Sequence, residues 1–315
     1  MRRAFADALV TAARRDPKVV FLTGDLGFGT FDAFEKEFGD RYLNVGIAEA
    51  LLVDAAAGLA REGWRPIVYS IASFMTGRAF EQIRFAVGYE GLPVAVVGAG
   101  RGLTYSTSGI SHHALDDVAL MSSIPGVTVV TPGDPAEVSA LLPQVLTLDG
   151  PSYFSVGKYG EPTYEALEAP ALGKLRLLQR GHAVAVITLG EMASVALDAA
   201  RRVEADGWRP AVYQVHTPKP LDVGAIHAIA GEFEHIIVVE EHLPQGGLHA
   251  AIAMSLAGSS HTASLFRLGP PDRFLVGNVE RDRLRRRLGY DADSIAAQCR
   301  ACSGVPSREL ESIHE

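Results

Sequence analysis

The chain has 315 residues, 48% hydrophobic and 21% charged, which is ordinary for a globular protein and enough for two packed domains. Its formal net charge of −8 argues against a general nucleic-acid binder, and no apolar run approaches the roughly 18 residues that a membrane helix needs. Arg2 and Arg3 start the chain, but Asp7, Arg14, Arg15 and Asp16 interrupt any signal-peptide core, so a cytoplasmic protein without membrane or nucleic-acid partners is expected. The two cysteines, Cys299 and Cys302, fit that compartment as reduced thiols near a surface helix. Their Cys-x-x-Cys spacing is also that of a redox pair or half a zinc site, yet no second ligand pair lies nearby and structural zinc takes four ligands.

The predicted elements alternate. Phe5, Leu9 and Ala12 recur at helical spacing over 2–15, and Val19 to Thr23 is a short β-rich run that ends in a Gly-rich turn, Gly24 to Thr30. Helix 47–62, strand 66–70, helix 76–88 and the apolar strand 92–98 follow. A Gly/Ser/Thr-rich loop runs from Ala99 to Ser111, and helix 114–123, strand 127–131, helix 134–147 and strand 152–156 complete the first unit. Periodicity weakens between Pro162 and Pro170, which marks a linker over 161–180. Strand 183–189, helix 191–205, strand 211–215, helix 222–232, strand 236–240, helix 246–257 and a strand near 263–266 form a second unit. The basic cluster Arg281, Arg283, Arg285, Arg286 and Arg287 is interleaved with Asp282 and reads as a solvated helix face. Apolar strands alternating with helices predict an α/β protein of two doubly wound domains, 1–160 and 181–315, each with a parallel sheet covered on both faces.

In such sheets ligands gather at the carboxyl ends of the strands. The turn 24–30 and the loops 70–78 and 99–113 leave that edge, so Asp25, Glu49, Phe74, His112 and His113 are candidates for one site. Glu49 is flanked by Ile47, Leu51, Leu52 and Val53, and at helical spacing it shares a face with Val53 and Ala56. Two readings stand: a solvated first-turn Glu facing the helix dipole, or an inward carboxylate able to share a proton with a ligand. Phe74 and Phe80 read as core residues or as a platform for a ring. Arg78 and Gln82 lie at i, i+4 spacing, which suits a structural ion-pair role for Arg78 equally well. The pair His112–His113 suits catalysis, metal binding or capping of the following helix, where Asp116 and Asp117 would face the helix dipole.

Taken together, these stretches resemble the transketolase family. Gly46-Ile47-Ala48-Glu49 resembles its Gly-Ile-x-Glu motif, and residues 69–84 resemble the segment whose aromatics pack on an aminopyrimidine. Ser108-Gly109-Ile110-Ser111-His112-His113 resembles its Asp-Gly-x-Thr-His-Gln motif, followed by Ile124-Pro125-Gly126 and Thr131-Pro132-Gly133-Asp134. His216-Thr217-Pro218-Lys219-Pro220-Leu221-Asp222 and Val239-Glu240-Glu241-His242 with Gly246-Gly247-Leu248 extend the match to the second unit, where the family's elements are mainly structural. The ordered set covers almost the whole chain.

The resemblance implies a pyrimidine-binding domain followed by a transketolase C-terminal domain, with thiamine diphosphate as cofactor. Glu49 would hydrogen-bond the aminopyrimidine ring nitrogen, and His112 would bind donor oxygens and assist proton transfer. Asp25, Leu26, Ile47, Phe74, Arg78 and Phe80 would complete the cofactor site. Arg2, Ser108, His112, His113 and Lys158 would face the substrate. Several positions depart from sugar-phosphate transketolases: Ser108 stands for Asp, Gly100 for a phosphate-contacting His, Lys158 for an Arg, and Ala50 for Gln or His. The Gly-Asp-Gly motif that carries the diphosphate and its Mg2+ or Ca2+ is absent, and no metal ligands are expected here. The expected arrangement is a split enzyme, this chain working with an N-terminal transketolase-like subunit in an α2β2 heterotetramer. The expected reaction is transfer of a two-carbon ketol unit. The alternatives are a 1-deoxyxylulose-5-phosphate-synthase-like or 2-oxo acid dehydrogenase β-like subunit, or a non-catalytic stabilising partner.

Overall fold

The computed structural model describes residues 1–158 and 160–304. The first sheet contains β1 (Val19–Thr23), β2 (Tyr42–Asn44), β3 (Arg65–Ile71), β4 (Ala95–Ala99), β5 (Thr128–Val130) and β6 (Ser152–Val156). Their order is β2-β1-β3-β4-β6-β5, and every pairing is parallel. The second sheet contains β7 (Arg176–Gln179), β8 (Val184–Leu189), β9 (Ala211–Val215), β10 (His235–Val239) and β11 (Ser264–Leu268), in the order β11-β10-β8-β9-β7. Only β7 runs antiparallel to its neighbour. This is the expected α/β architecture with two sheets, the second one mixed.

Alternation along the strands feeds two cores in the first sheet. Val20, Leu22, Val68 and Val96 pack on one face, and Phe21, Ile67, Tyr69, Ala95 and Val97 on the other. The first of these cores continues into the second sheet through Ala185, Ile187, Ile236 and Val238, so one apolar cluster joins the two sheets. The opposite face of the second sheet packs Val184, Val186, Ile237 and Val239.

The helices are α1 (Arg2–Arg15), α2 (Asp32–Phe38), α3 (Glu49–Arg61), α4 (Ala72–Arg78), α5 (Phe80–Gln82), α6 (Asp117–Ser122), α7 (Pro135–Val145), α8 (Met192–Glu204), α9 (Val223–Glu232), α10 (Leu248–Leu256), α11 (Arg281–Leu288) and α12 (Ala292–Ser303). Two aspartates cap the helices that follow them: Asp134 accepts from Glu137 N, and Asp222 from Ala225 N.

Several expectations need correction. The helix expected over 76–88 starts at Ala72, breaks at Ala79 and continues as π-helix from Ile83 to Tyr89. Gly88 lies so close to Ile124 that a Cβ there would meet its side chain at 2.7 Å, so the widened turn is packed against its neighbour. The helix expected from 114 begins only at Asp117. Asp117 does not face a helix dipole from solvent: it is 2% exposed and accepts hydrogen bonds from Tyr153 Oη and Ser155 Oγ. β7 lies inside the stretch read as linker, where four residues were too few to show a period. The arginine cluster is not a fully solvated face. Arg281 and Arg285, one helical turn apart, turn inward onto Glu241, while Arg283, Arg286 and Arg287 stay exposed. Cys299 is buried on α12 and Cys302 partly so, both as free thiols, and burial pushes the Cys299 thiol up to about 12.

Candidate active site

β1, β3 and β4 are consecutive parallel neighbours, so their carboxyl ends lie side by side. The segment after β2 stays on this edge because Val45 N donates to Thr23 O at 3.1 Å. α3 then starts with Glu49. Its helix face continues in Val53 and Ala56, both 0% exposed, and this apolar face carries the carboxylate inward to 4% exposure. Each carboxylate oxygen has a partner: Ser70 Oγ donates to Oε1 at 3.2 Å, and Arg78 Nη1 to Oε2 at 3.3 Å. Of the two readings of Glu49, the inward one is therefore the observed one.

Arg78 also places its guanidinium carbon 4.0 Å from the Phe74 ring centroid. Phe74 meets the His112 ring edge-on at 4.9 Å. Ser70, Glu49, Arg78, Phe74 and His112 thus form one continuous chain of contacts drawn from β3, α3, α4 and the 99–113 loop. Ser73 Oγ donates to Ser111 O at 2.9 Å, and Ser111 Oγ lies 3.0 Å from His112 Nδ1, which ties the tip of the 99–113 loop to α4. Burial and then the positive charge of Arg78 hold the His112 pKa below the usual imidazole value. His112 is accordingly neutral near pH 7, with one nitrogen able to donate and one to accept.

The Gly-rich turn closes the other side. Asp25 adopts a positive φ of 57° and exchanges hydrogen bonds with Asn44: Asp25 N donates to Asn44 Oδ1 at 3.0 Å, and Asn44 Nδ2 to Asp25 Oδ1 at 3.2 Å. Asn44 Oδ1 also accepts from Gly46 N at 3.0 Å. A Cβ on Gly24 would stand 3.4 Å from Gly46 O and 3.9 Å from Ser70 Oγ, so this turn packs against the residue that holds Glu49. Leu26 accepts from Thr23 Oγ1 through its carbonyl, and Ile47, two residues before Glu49, is 74% exposed.

The remaining candidates spread out. Phe80 is partly buried and packs against the hydrophobic core. His113 lines a separate cavity of about 440 Å³ with Ile110, Leu115, Leu243 and Phe274, and its Nε2 is buried without a partner. Lys158 lines a polar cavity of about 650 Å³ with Thr104, Thr107, Glu191 and Arg285, and its Nζ lies 5.2 Å from the Tyr105 ring. Arg2 sits next to it, donating N to Lys158 O and Nη2 to Thr30 Oγ1. Ser108 is exposed in a short 3-10 turn. Ser70, Asn44 and Tyr105 were not singled out in sequence. Ser70 lies inside a stretch that was and Asn44 two residues before one, but their roles depend on contacts 19 to 21 residues away.

The fold and this edge define the class: an α/β protein whose parallel sheet carries, at its carboxyl end, a buried carboxylate hydrogen-bonded at both oxygens and linked through Arg78 and Phe74 to a histidine. Residues 1–159 match the transketolase pyrimidine-binding domain, and residues 173–295 the transketolase C-terminal domain. The chain is 33% identical to the 6-deoxy-6-sulfo-D-fructose transketolase subunit SqwH of Clostridium sp., over 98% of this chain and 95% of that one. It is 34% identical to the 1-deoxy-D-xylulose-5-phosphate synthase of Chlorobium phaeovibrioides over 95% of this chain, but spans only 47% of that protein. Among solved structures, a split-gene transketolase described as an inactive beta4 tetramer matches with a TM-score of 0.88 and 32% identity, covering 96% of this chain and 98% of that one. The Leishmania mexicana transketolase shares the fold, with a TM-score of 0.79 at 16% identity over 96% of this chain and 45% of that one. The chain belongs to the transketolase family and has the architecture of the split-gene chain.

Family membership implies thiamine diphosphate, and the residues present fit its aminopyrimidine end: a buried carboxylate with both oxygens fixed, beside the partly open Phe74 ring. Among the described residues no three His, Cys, Asp or Glu side chains are grouped to hold a metal ion.

Proposed function

We propose that this chain is the pyrimidine-binding and C-terminal subunit of a split, thiamine diphosphate-dependent transketolase. It would transfer a two-carbon ketol unit from a ketose to an aldose or related aldehyde. The observation that carries this reading is Glu49, buried at the start of α3 and fixed by Ser70 and Arg78. The domain boundary falls within 161–180. An N-terminal transketolase-like subunit would supply the diphosphate site and its Mg2+ or Ca2+, in an α2β2 assembly.

When bound, thiamine diphosphate supplies the nucleophilic carbon and the electron sink for carbon–carbon bond cleavage. Glu49 would hydrogen-bond the aminopyrimidine ring nitrogen and share a proton with it, being the carboxylate buried at the start of α3. Ser70 and Arg78 orient it. Phe74, with Ile47 and Leu26, excludes water from the ring, and Asp25 faces the same cleft from the β1 turn. His112, neutral and fixed by Ser111, is suited to hold donor hydroxyls and pass a proton. Arg2 and Lys158 place positive charge where an anionic substrate end would lie, with Ser108 and His113 on the loop beside it.

Reconstitution tests this. The chain with a candidate partner, thiamine diphosphate and Mg2+ should convert ketose plus aldose. The chain alone should bind the cofactor poorly and show no turnover. Full activity of the isolated chain would remove the split-enzyme reading, and a complex mass fitting one copy of each chain would remove α2β2. The identity to 1-deoxy-D-xylulose-5-phosphate synthases supports a second reading, condensation with pyruvate as donor. Product analysis with a ketose phosphate against pyruvate separates the two. A non-catalytic stabilising role would leave Glu49 without a function.

A further inference from the structure

The loop that carries His112 is held at its base by the second sheet. Gly102 and Ala114 form an antiparallel bridge, each N donating to the other's O at 2.9 Å, which closes residues 103–113 into a pinched loop. Both legs of the pinch pass into the core of the second sheet, where Leu103 is 0% and Leu115 6% exposed. Two residues just past β10 grip them. Glu241 Oε2 accepts from Leu103 N at 2.9 Å, and Leu243 N donates to Leu115 O at 2.8 Å.

Glu241 is 4% exposed at its side chain and is itself locked. Arg281 Nε and Arg285 Nε each donate to it at 2.8 Å, on different oxygens, and Tyr290 Oη donates to Oε1 at 3.3 Å. Arg281 also pairs with Glu191. Gly102 permits the approach: it has φ +57°, and a Cβ there would stand 2.5 Å from Glu241 Oε2. A carboxylate fixed by two partly buried guanidiniums is a rigid acceptor, more so than its place in the loop after β10 alone would make it.

We propose that Glu241 is a positioning residue, through which the C-terminal domain sets the place of His112 against Phe74. Glu241 touches neither His112 nor the Glu49 cleft. It acts by holding Leu103 N and hence the base of the loop. The part concerning the donor substrate rests on the transketolase reading above; the clamp itself does not.

The test has two arms. In the first, amide hydrogen exchange of the full chain is followed by mass spectrometry in wild type and Glu241→Gln. Exchange in peptides covering 101–114 should rise about 10- to 100-fold, the range that a lost hydrogen bond to a charged group gives, while α3 and β8 stay unchanged. Unchanged exchange over 101–114 overturns the proposal. Should Glu241→Gln fail to fold, Gly102→Ala is measured by the same criterion, because its Cβ intrudes on the same contact.

In the second arm, the reconstituted complex is assayed for donor kcat/KM and for proton exchange at C2 of the cofactor. Glu241→Gln should lower donor kcat/KM toward the value of His112→Ala, add little in the double variant, and leave C2 exchange within about twofold. Fully additive losses, or an equal loss in C2 exchange, contradict action through His112. If the wild-type complex shows no ketol transfer, the functional reading fails, and the exchange arm still decides the clamp.

Discussion

Ser70 and Glu49, 21 residues apart and on different elements, meet at 3.2 Å inside the first sheet's carboxyl edge. Ser70, the last residue but one of β3, is 0% exposed, so its hydroxyl has little to bond but the Glu49 carboxylate. Ser70→Ala removes one of the two donors to a buried acceptor, a cost of about 1–2 kcal/mol. The expected result is a roughly 5- to 30-fold fall in kcat of the reconstituted enzyme with an unchanged circular dichroism spectrum. An unaltered kcat would show that this contact does not orient Glu49.

The pH response of His112 follows from its surroundings. Its pKa lies below the ordinary value, through burial first and the Arg78 charge second. The acidic limb of donor kcat/KM should therefore fall below pH 6.5, where protonation removes the accepting nitrogen. Arg78→Met removes the positive charge and should move that limb upward. A limb that stays in place, or moves down, would separate the pH profile from His112.

A second histidine governs acid stability. His216 is 0% exposed, and burial followed by the charge of Arg176 pushes its pKa down to about 4. Between about pH 6.5 and that value the unfolded chain binds one proton more than the folded chain at this site, so stability falls as pH falls. The loss reaches about 3 kcal/mol once pH is below the folded pKa. In urea titrations at several pH values, His216→Gln should flatten this dependence by about one proton. An identical slope in wild type and variant would contradict the assignment.

Arg176 and Glu137 tie β7 to α7 as a buried ion pair, with Tyr164 Oη and Gln214 Nε2 also donating to Glu137. Arg176→Met leaves the carboxylate buried without its cation. Chemical denaturation should show a loss of about 3–5 kcal/mol. A loss under about 1 kcal/mol would mean that Glu137 is satisfied by its neutral donors alone.

How much of this was legible in sequence depends on the range of the interaction. The run 19–22 is apolar throughout and strand 19–23 is fully buried, so its composition marks it directly, whereas the equally buried strand 152–156 carries Ser152 and Ser155. The inward turn of Glu49 was readable as one of two options, because Val53 and Ala56 lie on its face. Nothing local announces that Ser70 would reach Glu49, that Asn44 would pair with Asp25, or that Glu241 would hold Leu103, 138 residues away. The arginines of α11 misled for the same reason. Their interleaved acid suggested solvent, and the buried carboxylates that claim Arg281 and Arg285 sit in distant loops, Glu191 after β8 and Glu241 after β10. His112 and His113 are adjacent in sequence, yet successive side chains diverge, one to Phe74 and the other to a separate cavity.

The central claim is that Glu49 is the proton-sharing partner of the cofactor's aminopyrimidine, and Glu49→Gln addresses it most directly. Gln keeps the size and a hydrogen-bonding group but has no acidic proton to share. Hydrogen–deuterium exchange at C2 of thiamine diphosphate, measured in the reconstituted complex, should slow by roughly 10²–10³, corresponding to about 3–4 kcal/mol, with cofactor affinity nearly intact. The same exchange rate in Glu49→Gln and wild type would contradict the account and remove the edge around Asn44 to Ala50 as the cofactor site.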